Sequence, residues 1–414
     1  MEQQEAGKVL ELASYAGHIL LENGAEISRV EETMERIAGH YGVDSSSFFV
    51  LSNGIFTTAD SGFAKVEFIP FKGAQLQRVA EVNQLSRDIA DGLLTIDQAR
   101  ERLTAIRNMK SSGNWGQILG SAVGSAGFCI IFGGGLMDAA AAFVTGALLW
   151  AFVCFVTAPH TSKIIGNIAG SALATTLCII FHRLGFGVNL GNMIIGSLIP
   201  LIPGVPFTNG IKDLANEDYL AGATRLLDAL MVFLCIAVGV VVTFTVDSWL
   251  EGSMMEVILA PGTDSFTATF PFQALAALVG TIGFSVLFGV SRKLWLQAGI
   301  CGTLGWMAYL VFFRYTPLGV TFSTVAAAML VTVISRMSSN IFKAPATIFL
   351  IPGIFPMVPG GGLFWTSYHI ASDQFRLALE SGYSSIKITL AIVFGIILVS
   401  GLPNRFFRLR GKRK

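Results

Sequence analysis

Charged residues are scarce in this chain and are concentrated near its start. They make up 13% of the 414 residues, whereas 53% are hydrophobic; an average soluble domain has roughly 25% charged residues. This scarcity excludes a soluble globule of ordinary composition. Residues 1–112 form a polar sequence, while residues 113–403 hold long apolar runs with charges in the short gaps between them. The composition therefore predicts a polar domain followed by a membrane part.

Several chemical signatures are also missing. The formal net charge is only +1, which argues against a nucleic-acid partner, since phosphate-binding domains usually carry a basic excess. The sequence has no P-loop, no His-Glu-x-x-His and no Gly-x-Ser-x-Gly motif, so it predicts neither direct ATP drive nor a hydrolase. We expect no catalytic residue, no metal and no cofactor.

The cysteines predict neither a disulfide framework nor a metal site. An odd number of thiols within apolar stretches, none of them in a Cys-x-x-Cys pair, is typical of small packing residues. They are Cys129, Cys154, Cys178, Cys235 and Cys301.

Residues 1–112 are predicted to form a cytoplasmic α+β domain. The first 22 residues carry five charged side chains, unlike a signal peptide. Apolar residues recur at helical or strand spacing, with turn signals such as Asn53-Gly54 between them. Helices are predicted over 5–21, 27–41, 76–90 and 96–107, and strands over 47–51, 55–58 and 64–69.

Ten apolar windows follow, each near the roughly 20 residues that cross a bilayer. They cover 115–134, 138–157, 163–182, 190–211, 226–246, 271–290, 294–313, 318–336, 343–363 and 384–402. Lys and Arg concentrate on the side of the N-terminus and in the basic tail over 404–414, while the extracytoplasmic linker over 249–270 has none. This positive-inside bias predicts an all-α polytopic membrane protein with about ten transmembrane helices and both termini in the cytoplasm.

The membrane part contains an internal repeat. A shift of 156 residues aligns its two halves, residues 113–248 and 271–403, without a gap. Ile199–Gly204 then lies over Phe355–Gly360. If each half has five spans, the odd number makes the second half enter the membrane from the side opposite to the first. This parity predicts inverted repeats. A re-entrant proline segment in place of a full span would change that parity.

Prolines interrupt the fourth span of each half. Pro200, Pro203 and Pro206 cannot all sit in a regular helix, because each lacks an amide donor and clashes with the preceding turn. Paired interruptions of this kind are the best sequence pointer to a transporter's substrate site. The predicted substrate-binding residues are Pro200, Pro203, Gly204, Thr208, Asn209, Pro356, Pro359 and Gly360. The alternative is two packing kinks without a ligand.

A polar segment follows the first of these interruptions. Asp213 and Asp228 are its candidate proton carriers, with Arg225 available as a counter-charge, because ionisable side chains near a membrane pathway are expensive and usually functional. For each carboxylate, a solvated loop is the alternative. The repeats have diverged here, which predicts an asymmetric site; the matching stretch of the second half offers Trp365, His369, Asp373, Arg376 and Glu380.

Three segments carry a family resemblance: Asn23–Met34, Pro200–Asp213 with Gly222–Ala229, and Phe355–Gly360. Together they resemble the signatures of the threonine/serine exporter family, here within a single fused chain. The resemblance implies export of threonine and serine across the inner or plasma membrane, driven by the proton-motive force. Some relatives with two subunits are instead linked to succinate export.

These observations predict a secondary active transporter and not an enzyme. Its expected partners are a small-molecule substrate, protons and the lipid bilayer, and the sequence leaves a homo-oligomer open. One alternative is the same machine moving a dicarboxylate such as succinate, with Lys212 and Arg225 supplying complementary charge. The other is a membrane-anchored hydrolase or scaffold whose spans only tether the N-terminal domain.

Overall fold

The computed structural model describes residues 3–43, 46–59, 64–109, 112–157, 161–252, 257, 266–403 and 406–407. Its first part, the N-terminal region, consists of the described residues from 3 to 109. The elements are α1 (Gln3–Glu22), α2 (Ile27–His40), β1 (Ser46–Leu51), β2 (Gly54–Ala59), β3 (Ala64–Phe68), α3 (Leu76–Ala90) and α4 (Ile96–Arg107). Each begins and ends within two residues of its predicted bounds. Parts of the predicted linker and nearly all of the basic tail lie outside the described residues.

A shared apolar core holds the N-terminal region together. Ile27, Val30 and Met34 follow one another at helical spacing on α2 and are fully buried. The three strands form an antiparallel sheet in the order β1-β2-β3, and its inner face adds the buried Val50 and Ile55 to the same core. Each buried side chain of this size contributes about 1.5–3 kcal/mol.

The membrane region consists of the described residues from 112 to 403, and it is helical apart from short connections. Its helices are α5 (Asn114–Ile131), α6 (Leu136–Phe152), α7 (Lys163–Arg183), α8 (Leu190–Leu198), α9 (Gly204–Ala215), α10 (Tyr219–Glu251), α11 (Phe270–Leu287), α12 (Trp295–Tyr315), α13 (Gly319–Phe342), α14 (Thr347–Ile354), α15 (Gly360–Ala371) and α16 (Phe375–Ser400). Among the described residues, seven spans are long and apolar enough to cross a membrane, or up to nine if each bent pair, α8–α9 and α14–α15, counts as one. The protein is therefore a multi-pass, all-α membrane protein.

Helix α5 accounts for the difference from the predicted ten spans. It has 18 residues, but its first turn contains Asn114 and Gln117, and it is not among the nine candidates. It nevertheless packs along α11, which is a candidate span.

The contact between α5 and α11 depends on glycines. Gly120 leaves room for the carbonyl group of Gly283, and Gly127 for that of Ala276. Small residues of this kind let helices approach closely within a membrane. Because the partner's number falls as the number along α5 rises, the two helices run antiparallel.

Helices α7 and α10, in contrast, run parallel. Near their starts, Lys163 Nζ lies 2.6 Å from Asp228 Oδ2, and near their ends Arg183 Nη2 lies 2.7 Å from Asp247 Oδ1. Helices α13 and α16 are also parallel, with contacts at Val325–Gly395 and Arg336–Val399.

The N-terminal region is attached to the end of α11. The amide of Leu76 donates to the carbonyl of Phe288 at 3.0 Å, and the amide of Gln77 to that of Gly289 at 2.8 Å. The first amides and the last carbonyls of a helix lack partners within that helix, so the start of α3 and the end of α11 satisfy each other. Ala221 of α10 is buried in the core of the N-terminal region. The two regions therefore share a packed interface.

Candidate functional site

The first break (Ile199–Pro203) separates α8 from α9. One 3₁₀ turn covers Ile199–Leu201, and the chain is extended at Ile202, with φ −63° and ψ 129°. Pro203 has φ −79° and ψ 61°, and the Gly204 amide donates to the Ile202 carbonyl at 2.8 Å. These values define an inverse γ-turn. The two helix segments are bent by 63°.

The second break (Phe355–Pro359) separates α14 from α15 and has the same backbone geometry. Val358 has φ −62° and ψ 132°, and Pro359 has φ −76° and ψ 56°. The Gly360 amide donates to the Val358 carbonyl at 2.7 Å, which closes a second inverse γ-turn. The bend is 44°. The predicted interruption is thus present in both halves, 156 residues apart.

The two breaks contact each other inside the bundle. The Phe355 ring lies directly over Gly204, where a β-carbon would be only 1.9 Å from it. A β-carbon on Gly360 would lie 3.5 Å from Ile202 and 3.6 Å from Ile199. All residues of the two 3₁₀ turns are buried, so neither turn faces lipid.

A cavity of about 770 Å³, the interface cavity, opens beside the first break. The N-terminal region forms one wall with Leu21, Gly24, Ser52, Asn53, Phe71, Lys72 and Gly73. The membrane region forms the other with Trp150, Val153, Thr157, Thr161, Ser162, Lys163, Gly166, Asn167, Pro200, Leu201, Val205, Pro206, Asn209, Thr224, Arg225 and Asp228. This volume lies within the roughly 300–1,000 Å³ of small-molecule sites.

Asn209 borders this cavity and has a buried acceptor without a partner among the described residues. Its side chain is buried, and its Nδ2 donates to the carbonyl of Gly24 at 2.7 Å. Within the part of the chain that the structure describes, Asn209 Oδ1 has no hydrogen-bond partner. A buried acceptor without a partner is costly, so a ligand with a hydroxyl or ammonium donor would relieve that cost. Thr208 Oγ1 is buried and without a partner in the same way.

Asp213 is fully buried and joins three segments of the chain. Its Oδ2 lies 2.5 Å from Arg225 Nη1, and its Oδ1 accepts the backbone amide of Ile27 at 3.0 Å. Arg225 also donates to the carbonyl of Ala25 at 2.8 Å. Asp213 therefore lies behind the interface cavity, where it connects α9 and α10 to the segment before α2.

Glu26 is a second buried carboxylate at this junction. It is 4% exposed and contacts Lys212 Nζ and Arg29 Nη2, the latter at 2.7 Å. Burial alone would raise the pKa of Glu26, but Lys212 and Arg29 outweigh burial and lower that pKa from 4.5 to about 2. Glu26 is therefore charged at every physiological pH and attracts α9 to the N-terminal region.

Asp228 has a different partner from Asp213. Lys163 Nζ donates to both of its carboxylate oxygens, at 2.7 and 2.6 Å, and both side chains are about half exposed. The structure therefore assigns the predicted counter-charge Arg225 to Asp213 and supplies Lys163 for Asp228.

The predicted site residues divide into two groups. Those that border the interface cavity are Pro200, Asn209, Arg225 and Asp228. Those that do not border it are Pro203, Gly204, Thr208, Asp213, Pro356, Pro359 and Gly360, all of them buried except the partly exposed Pro359. The prolines and glycines of the second group shape the two breaks, while the polar residues of the first group line the interface cavity.

Two family models together match most of the chain. A model described as a putative threonine/serine exporter matches residues 11–246, and one described as a threonine/serine exporter, ThrE, matches residues 273–402. The chain belongs to the threonine/serine exporter family. No solved structure matches it.

Similar proteins of this family occur in bacteria and fungi. The threonine/serine exporter of Corynebacterium glutamicum is 22% identical over 98% of this chain and 85% of its own length. The probable threonine/serine exporter of Mycobacterium tuberculosis is 22% identical over 98% of this chain and 80% of its own length. The pheromone-regulated membrane protein 10 of Zygosaccharomyces rouxii is 22% identical over 89% of this chain but only 37% of its own length.

In this member of the threonine/serine exporter family, the N-terminal and central signatures contact each other, which sequence reasoning missed. One signal was available: Glu26, Lys212 and Asp213 are charged residues beside apolar ones, and buried charges require charged partners. Sequence reasoning also missed several residues that border the interface cavity. The missed residues are Asn53, Lys72, Trp150, Lys163 and Asn167.

Proposed function

We propose that the protein is a secondary active transporter that exports small hydroxy amino acids such as threonine and serine. The observation that carries this proposal is the contact of two buried helix breaks beside a cavity. Irregular backbone at membrane depth is tolerated where protein encloses it or where it lines a water-filled space, and paired broken helices form the substrate sites of secondary transporters. The printed names of the bacterial relatives support the same substrate class.

We also propose that the two halves are inverted repeats of five spans each. Helices α7 and α10 run parallel although the pair α8–α9 lies between them in the chain, which supports a bent pair that crosses the membrane fully. A re-entrant segment would leave α7 and α10 antiparallel. The opening helices of the two halves, α5 and α11, run antiparallel, as an odd number of crossings per half requires.

Matching hydrogen bonds support the same repeat. The indole of Trp150 donates to Gln117 at 3.1 Å, and the indole of Trp306 donates to Gln273 at 2.9 Å. Each bond joins residues 33 positions apart, and the second bond lies 156 positions after the first.

The ion pair of Lys163 and Asp228 is our candidate for binding the charged groups of the amino acid. A zwitterion carries a carboxylate and an ammonium, so Lys163 can take the first and Asp228 the second. An exposed ion pair is worth only about 0–1 kcal/mol, so exchanging partners costs little. Asn209 Oδ1 is then available to accept a hydrogen bond from the substrate hydroxyl.

A dicarboxylate such as succinate is the second candidate substrate. Lys72, Lys163 and Arg225 border the interface cavity with a single carboxylate, Asp228, and this excess of cations favours an anion. Each of these three cations already has a carboxylate partner, however: Arg225 is bound by Asp213, Lys163 by Asp228 and Lys72 by Glu22.

We propose that the proton-motive force drives export through the carboxylates near the first break. Protonation of Asp228 would release Lys163, and protonation of Asp213 would release Arg225, so either event would change the charge that faces the cavity. The substrate would enter from the cytoplasm, where the positive-inside bias places both termini.

The test is efflux of labelled threonine from proteoliposomes under an imposed pH gradient. We expect efflux to respond to the gradient and to be reduced by unlabelled serine. Indifference to the gradient would exclude proton coupling, and competition by succinate but not serine would favour the dicarboxylate. The variants Asp213→Asn and Asp228→Asn identify the proton carrier. Removing the carboxylate that carries the proton should abolish the response of efflux to the pH gradient.

A further inference from the structure

One wall of the interface cavity belongs to the N-terminal region and not to the helix bundle. The turn between β1 and β2 contributes Ser52 and Asn53, and the segment before α3 contributes Phe71 and Lys72. Lys72 is 63% exposed, with its Nζ 2.6 Å from a carboxylate oxygen of Glu22. The wall thus presents an amide and a cation towards the membrane region.

Contacts to α9 and α10 hold this wall in place. Three main-chain groups of residues 24–27 bind the side chains of Asn209, Asp213 and Arg225, at 2.7 to 3.0 Å. Moving the N-terminal region away would break the bond from the Ile27 amide to Asp213 and the ion pair of Glu26 with Lys212. Loss of a partner by a buried carboxylate is strongly unfavourable. The wall therefore keeps a fixed position beside the first break.

We infer that the N-terminal region forms part of the substrate site, with Lys72 and Asn53 contacting the substrate and helping to select it. Lys72 offers a positive charge to a substrate carboxylate, and Asn53 offers amide hydrogen bonds. This inference rests on the proposed function, because it requires the interface cavity to bind the transported molecule. It is incompatible with an N-terminal region that is only tethered by the spans.

Substrate affinity in the full-length protein tests the inference. In proteoliposomes, Lys72→Gln and Asn53→Ala should each raise the KM for the transported substrate by about two- to fivefold, as expected for an exposed polar contact, with little change in kcat. Lys65→Gln is the matched control, since Lys65 Nζ also lies 2.6 Å from a carboxylate, that of Glu67, but does not border the cavity. It should leave KM unchanged.

A second measurement detects binding without transport. The variant Asn53→Cys, in a background with the half-buried Cys154 replaced by Ser, should react with maleimide more slowly when threonine, serine or succinate is present. Lys65→Cys should react at the same rate with and without them. If substrate protects position 53 but the protein transports nothing, the inferred binding site stands and the proposed export is wrong. Normal transport with unchanged KM in both variants and no protection would overturn the inference while leaving the proposed function intact.

Discussion

The two broken helices share a backbone but differ in their surroundings. Helix α9 carries Asn209 and Asp213 and is covered by the N-terminal region, whereas α15 carries Phe364, Trp365 and Tyr368, which pack in an aromatic cluster. The two Pro–Gly turns have nearly the same φ and ψ values. The comparison teaches that the break is common to both halves, while the fully buried carboxylate and its bond to the N-terminal region belong to the first half.

The largest expected effect separates two matching positions of the repeat. Asp213→Ala leaves Arg225 without its buried partner and should cost about 3–5 kcal/mol of stability. His369 lies 156 residues later, with a hydrogen bond to the exposed Gln374 at 2.9 Å and its half-buried ring beside those of Trp365 and Tyr368. His369→Ala should therefore cost only about 1 kcal/mol. Thermal unfolding in detergent measures both. Equal losses of stability in the two variants would show that the buried ion pair of the first half does not stabilise the protein.

Acid should weaken the contact between the N-terminal region and α9, through Glu26. The folded pKa of Glu26 is about 2, below the ordinary 4.5, so its stabilising effect is complete above pH 4.5 and is lost as pH falls towards 2. A shift of this size corresponds to about 3 kcal/mol. Unfolding temperatures of the wild type and Glu26→Gln, measured from pH 7 to pH 3, should converge below pH 4.5. Curves that stay parallel over this range would contradict the assignment.

Local patterns in the sequence predicted much of the fold. The bounds of α3 and α4 follow from helical spacing, and the breaks at Pro203 and Pro359 follow from the missing amide and the steric clash of proline, which no distant contact can remove. These features depend on residues near one another in the chain.

The partners of the charged residues could not be predicted in this way. Asp213 receives the amide of Ile27 from 186 positions away, and Lys212 contacts Glu26 across the same separation. A sequence shows that a buried charge needs a partner but does not show which region supplies it. For this reason Asp213 and Asp228 were expected to work with the single counter-charge Arg225, whereas the structure gives each carboxylate its own cation.

Two matching glycines provide an intermediate effect. In Gly204→Ala, the new methyl group would collide with Phe355, which stacks on Phe284 at 5.1 Å and has little room to move. Overpacking of this kind costs about 1–3 kcal/mol. Gly360→Ala would meet its neighbours only at 3.5 Å or more and should be nearly neutral. If Gly204→Ala and Gly360→Ala lower the unfolding temperature equally, the two breaks are equally tightly packed. That result would contradict the different distances at the two glycines.

The smallest stability effects concern the tryptophan–glutamine bonds, and they separate packing from function. Gln273→Leu would leave the indole N–H of the buried Trp306 without its acceptor, at a cost of about 1–3 kcal/mol. Gln117→Leu should cost less, because Trp150 is only half-buried, but Trp150 borders the interface cavity. We therefore expect Gln273→Leu to lower the unfolding temperature and Gln117→Leu to change mainly the KM of transport. If Gln117→Leu leaves KM unchanged, Trp150 serves only in packing, as Trp306 does. The first half then loses one of the features that distinguish it from the second.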